Sequence, residues 1–164
     1  NIGDNKMSVG FMQDGAFHSV RSMNGGSLNV IINKLSSSLD IPAEKCHEMF
    51  EKNDLKVVEG VAISVLEDAM KVAFEELMSQ ITFGIRYHSS AEDSRPLERI
   101  LIGGGGASVP GLLQYIADKT GIETATVNPF RSVECDSSVV DKDGMSIALS
   151  NIYAPALGLA MRKF

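Results

Sequence analysis

The stretch LIGGGGASVPGL at residues 101–112 decides the fold class of this chain. The apolar run that leads into it, Arg99–Ile102, is typical of a strand buried in a parallel or mixed sheet. A run of four glycines follows, and the residues after Gly111 predict a helix that ends at Gly121. Glycine backbone lets a ligand approach main-chain N–H groups closely, and a helix N-terminus favours anions. The stretch therefore predicts an α/β fold with a ligand site on the glycines, with a ligand-free glycine-rich turn as the alternative.

Two common nucleotide-binding motifs do not fit these residues. A P-loop requires Lys followed by Ser or Thr, but Leu112 and Leu113 follow Gly111. A dinucleotide fingerprint that begins at Gly104 would need Gly or Ala at the position of Val109. Neither a P-loop site nor a Rossmann site is predicted.

The N-terminal residues predict a β-hairpin. Apolar and polar residues alternate from Lys6 to Gln13, and Asp14-Gly15 is a strong signal for a two-residue turn. The return strand is predicted over Ala16–Met23. The residues before the hairpin, 1–4, read like the end of a strand that enters a turn.

Helices are predicted in the middle of the chain and at its end. Ser27 is expected to cap the first of them with its hydroxyl group. The clearest pattern is a long amphipathic helix whose apolar residues recur every three or four positions. The predicted helices are Leu28–Leu39, Ala43–Lys52, residues 62–85 and residues 154–161, and a loop is expected over 89–96.

The composition excludes several classes of protein. Lys and Arg number 15 against 21 Asp and Glu, so the formal net charge is -6, which argues against binding to nucleic acid. Cys46 and Cys135 are far apart and form no CxxC pair, so neither a disulfide scaffold nor a metal site is predicted. No apolar run approaches the roughly 20 residues of a membrane span. These features predict a soluble protein of a reducing compartment.

The order of the motifs resembles the actin-like ATPase superfamily, and within it the chain is most similar to the type IV pilus assembly ATPases, the PilM family. The resemblance rests on the N-terminal turn and hairpin, the stretch 101–112, Asn128-Pro129-Phe130 and the sequence ALGLA at 156–160. It covers essentially all 164 residues, but only the C-terminal half of such a protein.

The resemblance implies an actin-like, ribonuclease H-like α/β fold in a fragment of a longer protein. Residues 1–38 and 97–164 would form a larger subdomain, with a mixed sheet of about five strands flanked by helices. Residues 39–96 would form a smaller, mostly helical subdomain inserted into it. ATP and Mg²⁺ would be the cofactors of the full-length protein.

The resemblance also implies a set of site residues. Those expected at the phosphates are Gly3, Asp4 and Asn5. Those expected at the adenosine are Gly104, Gly105, Gly106, Ser108 and Gln80. Asn1 stands where the family usually has an Asp that positions magnesium or the attacking water, and no catalytic residue is assigned. Both turns must face one cleft if the resemblance holds.

The implied function is that of a nucleotide-responsive scaffold at the cytoplasmic face of the inner membrane. Its N-terminal half, absent from this chain, would dock on the inner-membrane proteins of pilus assembly, without insertion into the membrane. The chain by itself is expected not to hydrolyse ATP, because it carries only one of the two hairpins that clamp the phosphates. The alternatives are a degenerate, ligand-free structural module and a part of a small-molecule kinase of the same superfamily.

Overall fold

A computed structural model describes residues 1–91, 95–132 and 147–161. Within them the chain forms four strands and five α-helices. In chain order these are β1 (Met7–Gln13), β2 (Ala16–Met23), α1 (Leu28–Leu39), α2 (Ala43–Lys52), α3 (Ile63–Ser89), β3 (Arg99–Ile102), α4 (Leu112–Thr120), β4 (Glu123–Thr126) and α5 (Ile147–Ala160). The predicted α/β class is confirmed, and so are the hairpin and the long helix.

The strands form two pairs. β1 and β2 are antiparallel, whereas β3 and β4 are parallel. Residues 1–3 lie between the pairs, because Ile2 donates its N–H to the carbonyl of Gly103 at 2.8 Å and Ser8 donates to the carbonyl of Asn1 at 2.9 Å. In place of the predicted sheet of about five strands, the described residues therefore show two strand pairs joined by a short segment. That segment makes a single bridge, between Ile2 and Met7, and is too short to count as a strand.

The start of α1 differs from the prediction. Ser27 is the N-cap residue, but its hydroxyl makes no capping hydrogen bond. The reason is that the donors it would serve are already taken. The N–H of Asn29 donates to the carbonyl of Asp4 at 2.9 Å, and the N–H of Val30 donates to the carbonyl of Ser27 itself at 3.1 Å. Backbone from the N-terminal residues thus caps this helix.

The core lies between α3, α1 and the hairpin. The apolar positions that predicted α3 are its buried face, including Leu66, Met70 and Leu77. Backbone packs closely here, since a Cβ on Gly26 would lie 3.0 Å from the Cα of Leu77. At Gly84 of α3, a Cβ would lie 3.2 Å from Cγ1 of Val9. The buried side chains therefore fix α1 and β1 against one long helix.

Two predictions extend beyond the described residues. The predicted loop 89–96 is described only in part, because α3 continues to Ser89 and residues 92–94 lie outside. Cys135 also lies outside. α5 begins earlier than predicted, at Ile147, and contains Pro155. Across the described ranges, no helix combines the length and apolar character of a membrane span, the 27-residue α3 included.

Candidate functional site

The N-terminal turn, defined as Gly3, Asp4 and Asn5, is bound to the first residues of α1. Leu28 donates its N–H to the carbonyl of Gly3 at 3.0 Å, and Asn29 donates to the carbonyl of Asp4 at 2.9 Å. The side chain of Asn29 adds a third bond, from Nδ2 to Oδ1 of Asn5 at 2.8 Å. The turn is therefore held from one side by a helix that is itself anchored in the core.

The glycine turn, residues 103–106, packs on the backbone just before the N-terminal turn. Gly104 has a φ of +88°, and a Cβ there would lie 2.5 Å from the carbonyl oxygen of Ile2. A Cβ on Gly106 would overlap the side chain of Ile2, and Gly106 donates its N–H to the carbonyl of Ile2 at 3.0 Å. Close packing inside the protein therefore explains why these two positions are glycine.

Close packing does not explain why position 105 is glycine. Its nearest neighbours to an added Cβ would be Oδ1 of Asp4 and Cδ2 of Leu28, both at 3.7 Å, which is ordinary van der Waals contact. The residue is exposed, and its φ is not in the left-handed range. Internal packing does not require a glycine at this position. A glycine here leaves the backbone uncovered, as the close approach of a ligand would need.

The 3.7 Å between Oδ1 of Asp4 and a Cβ on Gly105 shows that the two turns lie side by side, as the resemblance requires. Both turns also carry free donors. In the described part of the chain, the backbone N–H groups of Asp4, Asn5, Gly104 and Gly105 donate to no protein group. Several convergent main-chain N–H groups form a concavity that suits an anion. The arrangement can therefore bind a phosphate with backbone donors from two separate segments.

A pocket of about 610 Å³ opens next to the glycine turn, beyond Ala107. One wall is the end of α2 and the other is the segment that leads into α4. The lining residues are Phe50, Glu51, Asn53, Ala107, Ser108, Val109, Pro110, Gly111, Leu113, Gln114 and Thr126. Ser108, which was expected at the adenosine, is among them. The volume is within the range of small-molecule sites.

The α2 wall of the pocket is rich in hydrogen-bond acceptors. α2 ends at Lys52 and Asn53 caps it in the left-handed conformation, so the negative end of the helix dipole lies at this wall. Glu51 adds a carboxylate. The pocket therefore favours a group that donates hydrogen bonds, whereas the two turns favour an anion. The pocket and the two turns therefore differ in the chemistry that they favour.

Gln80 lies on α3, outside the pocket. It is half-buried and lies one helical turn before Gly84. Its side chain makes no hydrogen bond within the described residues. The structure thus brings the two turns and Ser108 together but does not join Gln80 to them, and its proposed contact with adenosine stays a prediction.

Sequence reasoning missed the α2 wall formed by Phe50, Glu51 and Asn53. Asn53 carried a local signal, because Asn is a residue that ends helices in the left-handed conformation. That signal marks the end of α2, but it says nothing about what faces it. Only the packing of α2 against the rest of the chain brings this end opposite Ser108.

The residues present fit a nucleotide with magnesium. No group of three or more His, Cys, Asp or Glu side chains that could hold a metal occurs in residues 1–91, 95–132 and 147–161. Magnesium that arrives with a nucleotide needs fewer protein ligands, because phosphate oxygens and water complete its octahedron. Asp4 supplies one carboxylate next to Gly105, a ligand type that suits this mode. The bare backbone at Gly105 leaves room for the phosphates.

Comparison with known proteins gives a family and a fold. All of residues 1–164 match the profile of a family described as "Type IV pilus assembly protein PilM". A solved "PilM-PilN type IV pilus biogenesis complex" is similar, with a TM-score of 0.75 and 20% identity over 98% of this chain and 44% of that one. Ethanolamine utilization protein EutJ from Carboxydothermus hydrogenoformans has a TM-score of 0.63 and 14% identity, over 98% and 46%. No curated protein matches the chain in sequence. The chain thus spans less than half the length of either solved relative, whose fold it shares.

Proposed function

The chain belongs to the family of type IV pilus assembly proteins PilM, and we propose that it forms the nucleotide-binding half of an actin-like scaffold in type IV pilus assembly. The observation that carries this proposal is Gly105, a bare, exposed backbone position of the glycine turn that lies beside the N-terminal turn. The N–H groups of Asp4, Asn5, Gly104 and Gly105 donate to no group within the described residues. The ligand proposed is ATP with Mg²⁺.

The phosphates bind at the two turns in this proposal. Backbone N–H groups of Asp4, Asn5, Gly104 and Gly105, which donate to no group within the described residues, donate to phosphate oxygens. Asp4 would hold the magnesium ion, together with phosphate oxygens and water. Asn1, which carries no charge, gives a weaker second ligand than an Asp would.

The nucleoside occupies the pocket in this proposal. The base lies between Phe50 and the segment that contains Ser108, and its exocyclic amino group or the ribose hydroxyls donate to Glu51 and Asn53. The acceptor-rich wall disfavours phosphate there, so electrostatics sets the direction of the nucleotide along the site.

We assign the pocket walls to two subdomains. Phe50, Glu51 and Asn53 belong to the inserted subdomain 39–96, and Ser108 belongs to the larger one. A bound nucleotide would then contact both and hold them at one relative position, which is how a scaffold responds to its ligand. ATP supplies a transferable phosphoryl group when bound, and no residue of this chain is assigned to catalysis.

The partner is proposed by analogy. The similar solved structure contains a PilM protein in complex with PilN. For this protein we propose contact with an inner-membrane assembly protein at the cytoplasmic face of that membrane. The contact would involve parts of the full-length protein that lie outside this chain.

The test is calorimetric titration of Mg-ATP and of adenosine into the full-length protein. Gly105→Val blocks the approach of phosphate and is expected to weaken ATP binding at least ~10-fold, about 1.4 kcal/mol. Ser108→Phe fills the pocket and is expected to weaken ATP and adenosine alike. The matched control is Gly158→Val, at an exposed glycine of α5 with nothing within 4 Å. Absence of ATP binding by the wild type would favour the ligand-free scaffold instead.

A further inference from the structure

Asn29, the second residue of α1, bonds to the N-terminal turn through both its backbone and its side chain. Its N–H donates to the carbonyl of Asp4 at 2.9 Å, and its Nδ2 donates to Oδ1 of Asn5 at 2.8 Å. Among the described residues, no other side chain hydrogen-bonds to Asp4 or Asn5. We infer that Asn29 is a positioning residue, which orients the N-terminal turn so that its free N–H groups face the phosphates. This inference rests on the proposed function.

The turn needs such a support because two of its three residues are not fixed by burial. Asp4 and Asn5 are both exposed, so burial does not restrict their conformation. Their N–H groups make no hydrogen bond inside the described part of the protein, so no acceptor fixes their direction. A preorganised donor stabilises an anion better than one that must first be ordered, because ordering a residue costs conformational entropy. The side-chain bond from Asn29 restricts Asn5 directly.

The first turn of α1 is a rigid reference for this bond. Ile31, Ile32 and Leu35 of the same helix are buried against the core. Leu28, next to Asn29, lies beneath the glycine turn, where its Cδ2 would be 3.7 Å from a Cβ on Gly105. Two adjacent residues of α1 thus support both turns of the proposed phosphate site. The two turns are aligned with each other because both contact the same buried helix.

The experiment compares ATP with adenosine in the full-length protein. Asn29→Ala is expected to weaken Mg-ATP binding roughly fivefold, the effect of one hydrogen bond, and to leave adenosine binding unchanged because adenosine has no phosphate. Asn5→Ala is expected to have the same effect, and the double variant no larger one, because both act through the same bond. Asn33→Ala is the matched control. Asn33 is exposed and lies one helical turn further along α1, and its side chain makes no hydrogen bond in the described residues.

Equal weakening of ATP and adenosine, or additive effects of Asn5→Ala and Asn29→Ala, would overturn the inference. Hydrogen exchange of the amides of Gly3 and Leu28, which donate to the carbonyls of Lys6 and Gly3, provides a second readout without nucleotide. It is expected to be faster in Asn29→Ala than in the wild type or Asn33→Ala. If the wild type binds no ATP, the proposed function is wrong, and exchange still decides whether Asn29 holds the turn. Unchanged exchange overturns the inference whatever the binding result.

Discussion

The carbonyl oxygen of Ile2 accepts a hydrogen bond from the N–H of Gly106 at 3.0 Å. This bond joins the start of the chain to the glycine turn, and the side chain of Ile2 is almost fully buried beneath it. A Cβ on Gly106 would overlap that side chain, and one on Gly104 would meet the same carbonyl oxygen. The glycines at 104 and 106 therefore serve the fold, whereas no packing contact requires a glycine at position 105.

The role of Gly104 in the fold can be measured. Gly104→Ala is expected to destabilise the protein by ~3 kcal/mol, because it adds a steric clash with Ile2 to the cost of a left-handed conformation. Gly121→Ala is the control, since Gly121 has a φ of +69° and nothing within 4 Å of an added Cβ. It is expected to cost only ~1 kcal/mol. Urea unfolding measures both, and equal losses would contradict the packing argument.

The chain expressed by itself is expected not to hydrolyse ATP. Its two turns supply donors from one side of the phosphates, and phosphoryl transfer depends on charge stabilisation from all sides. Binding is expected to be no tighter than ~1 mM. Phosphate release is measured beside the full-length protein, and equal turnover by the chain would contradict the prediction. If the full-length protein is also inactive, Asn1→Asp tests whether a missing carboxylate is the cause.

The pH dependence of stability should reveal the contribution of the ion pairs that Glu48 of α2 makes with Lys45 and Lys52. Hydrogen bonds and charge attraction from Lys52 and Lys45 lower the pKa of Glu48 from its ordinary 4.5 to about 2. A lowered folded-state pKa contributes stability that is present above pH 4.5 and is lost as the pH falls towards 2. Glu48→Gln is therefore expected to lower the thermal midpoint slightly at pH 7 and not near pH 2. Because the ion pairs are at the surface, added salt should shrink the difference. An equal difference at both pH values would contradict this assignment.

Cys46 of α2 should be unreactive in the folded protein. It is fully buried, and burial raises the pKa of its thiol, which reduces the reactive thiolate. In a Cys135→Ser background, a thiol reagent is expected to label Cys46 at least ~100-fold more slowly in buffer than in denaturant, because labelling requires opening of the core. The Cys46→Ser variant of that background controls for non-thiol labelling. Rapid labelling of the native protein would show that α2 is not packed as described.

Much of the secondary structure could be predicted because its signals are local. Asp14 and Gly15 take positive φ at the hairpin turn, as that dipeptide indicates. Gly121 ends α4 in the left-handed conformation, as predicted. The apolar repeat of α3 is the face that the core buries, because a helix brings residues three or four apart to one side.

The predictions that were wrong depended on distant backbone. Ser27 has the residue type and position of a hydroxyl cap, yet the carbonyl of Asp4 takes the donor that the hydroxyl would serve. The expected sheet of about five strands became two pairs, because residues 1–3 join them with only a few hydrogen bonds. Neither outcome can be obtained from the residues next to Ser27 or from the strand patterns.

The sequence by itself determined the elements and the two candidate turns, since turn chemistry and apolar spacing act within a few residues. Only the tertiary structure decided where packing requires glycine, because Ile2 crowds Gly104 and Gly106, whereas Asp4 and Leu28 lie at ordinary contact distance from Gly105. It likewise decided that Asn53, at the end of α2, shares a pocket with Ser108. The physical reason is that close packing joins segments that are far apart in the chain. A local sequence pattern does not identify the distant segment that packs against it.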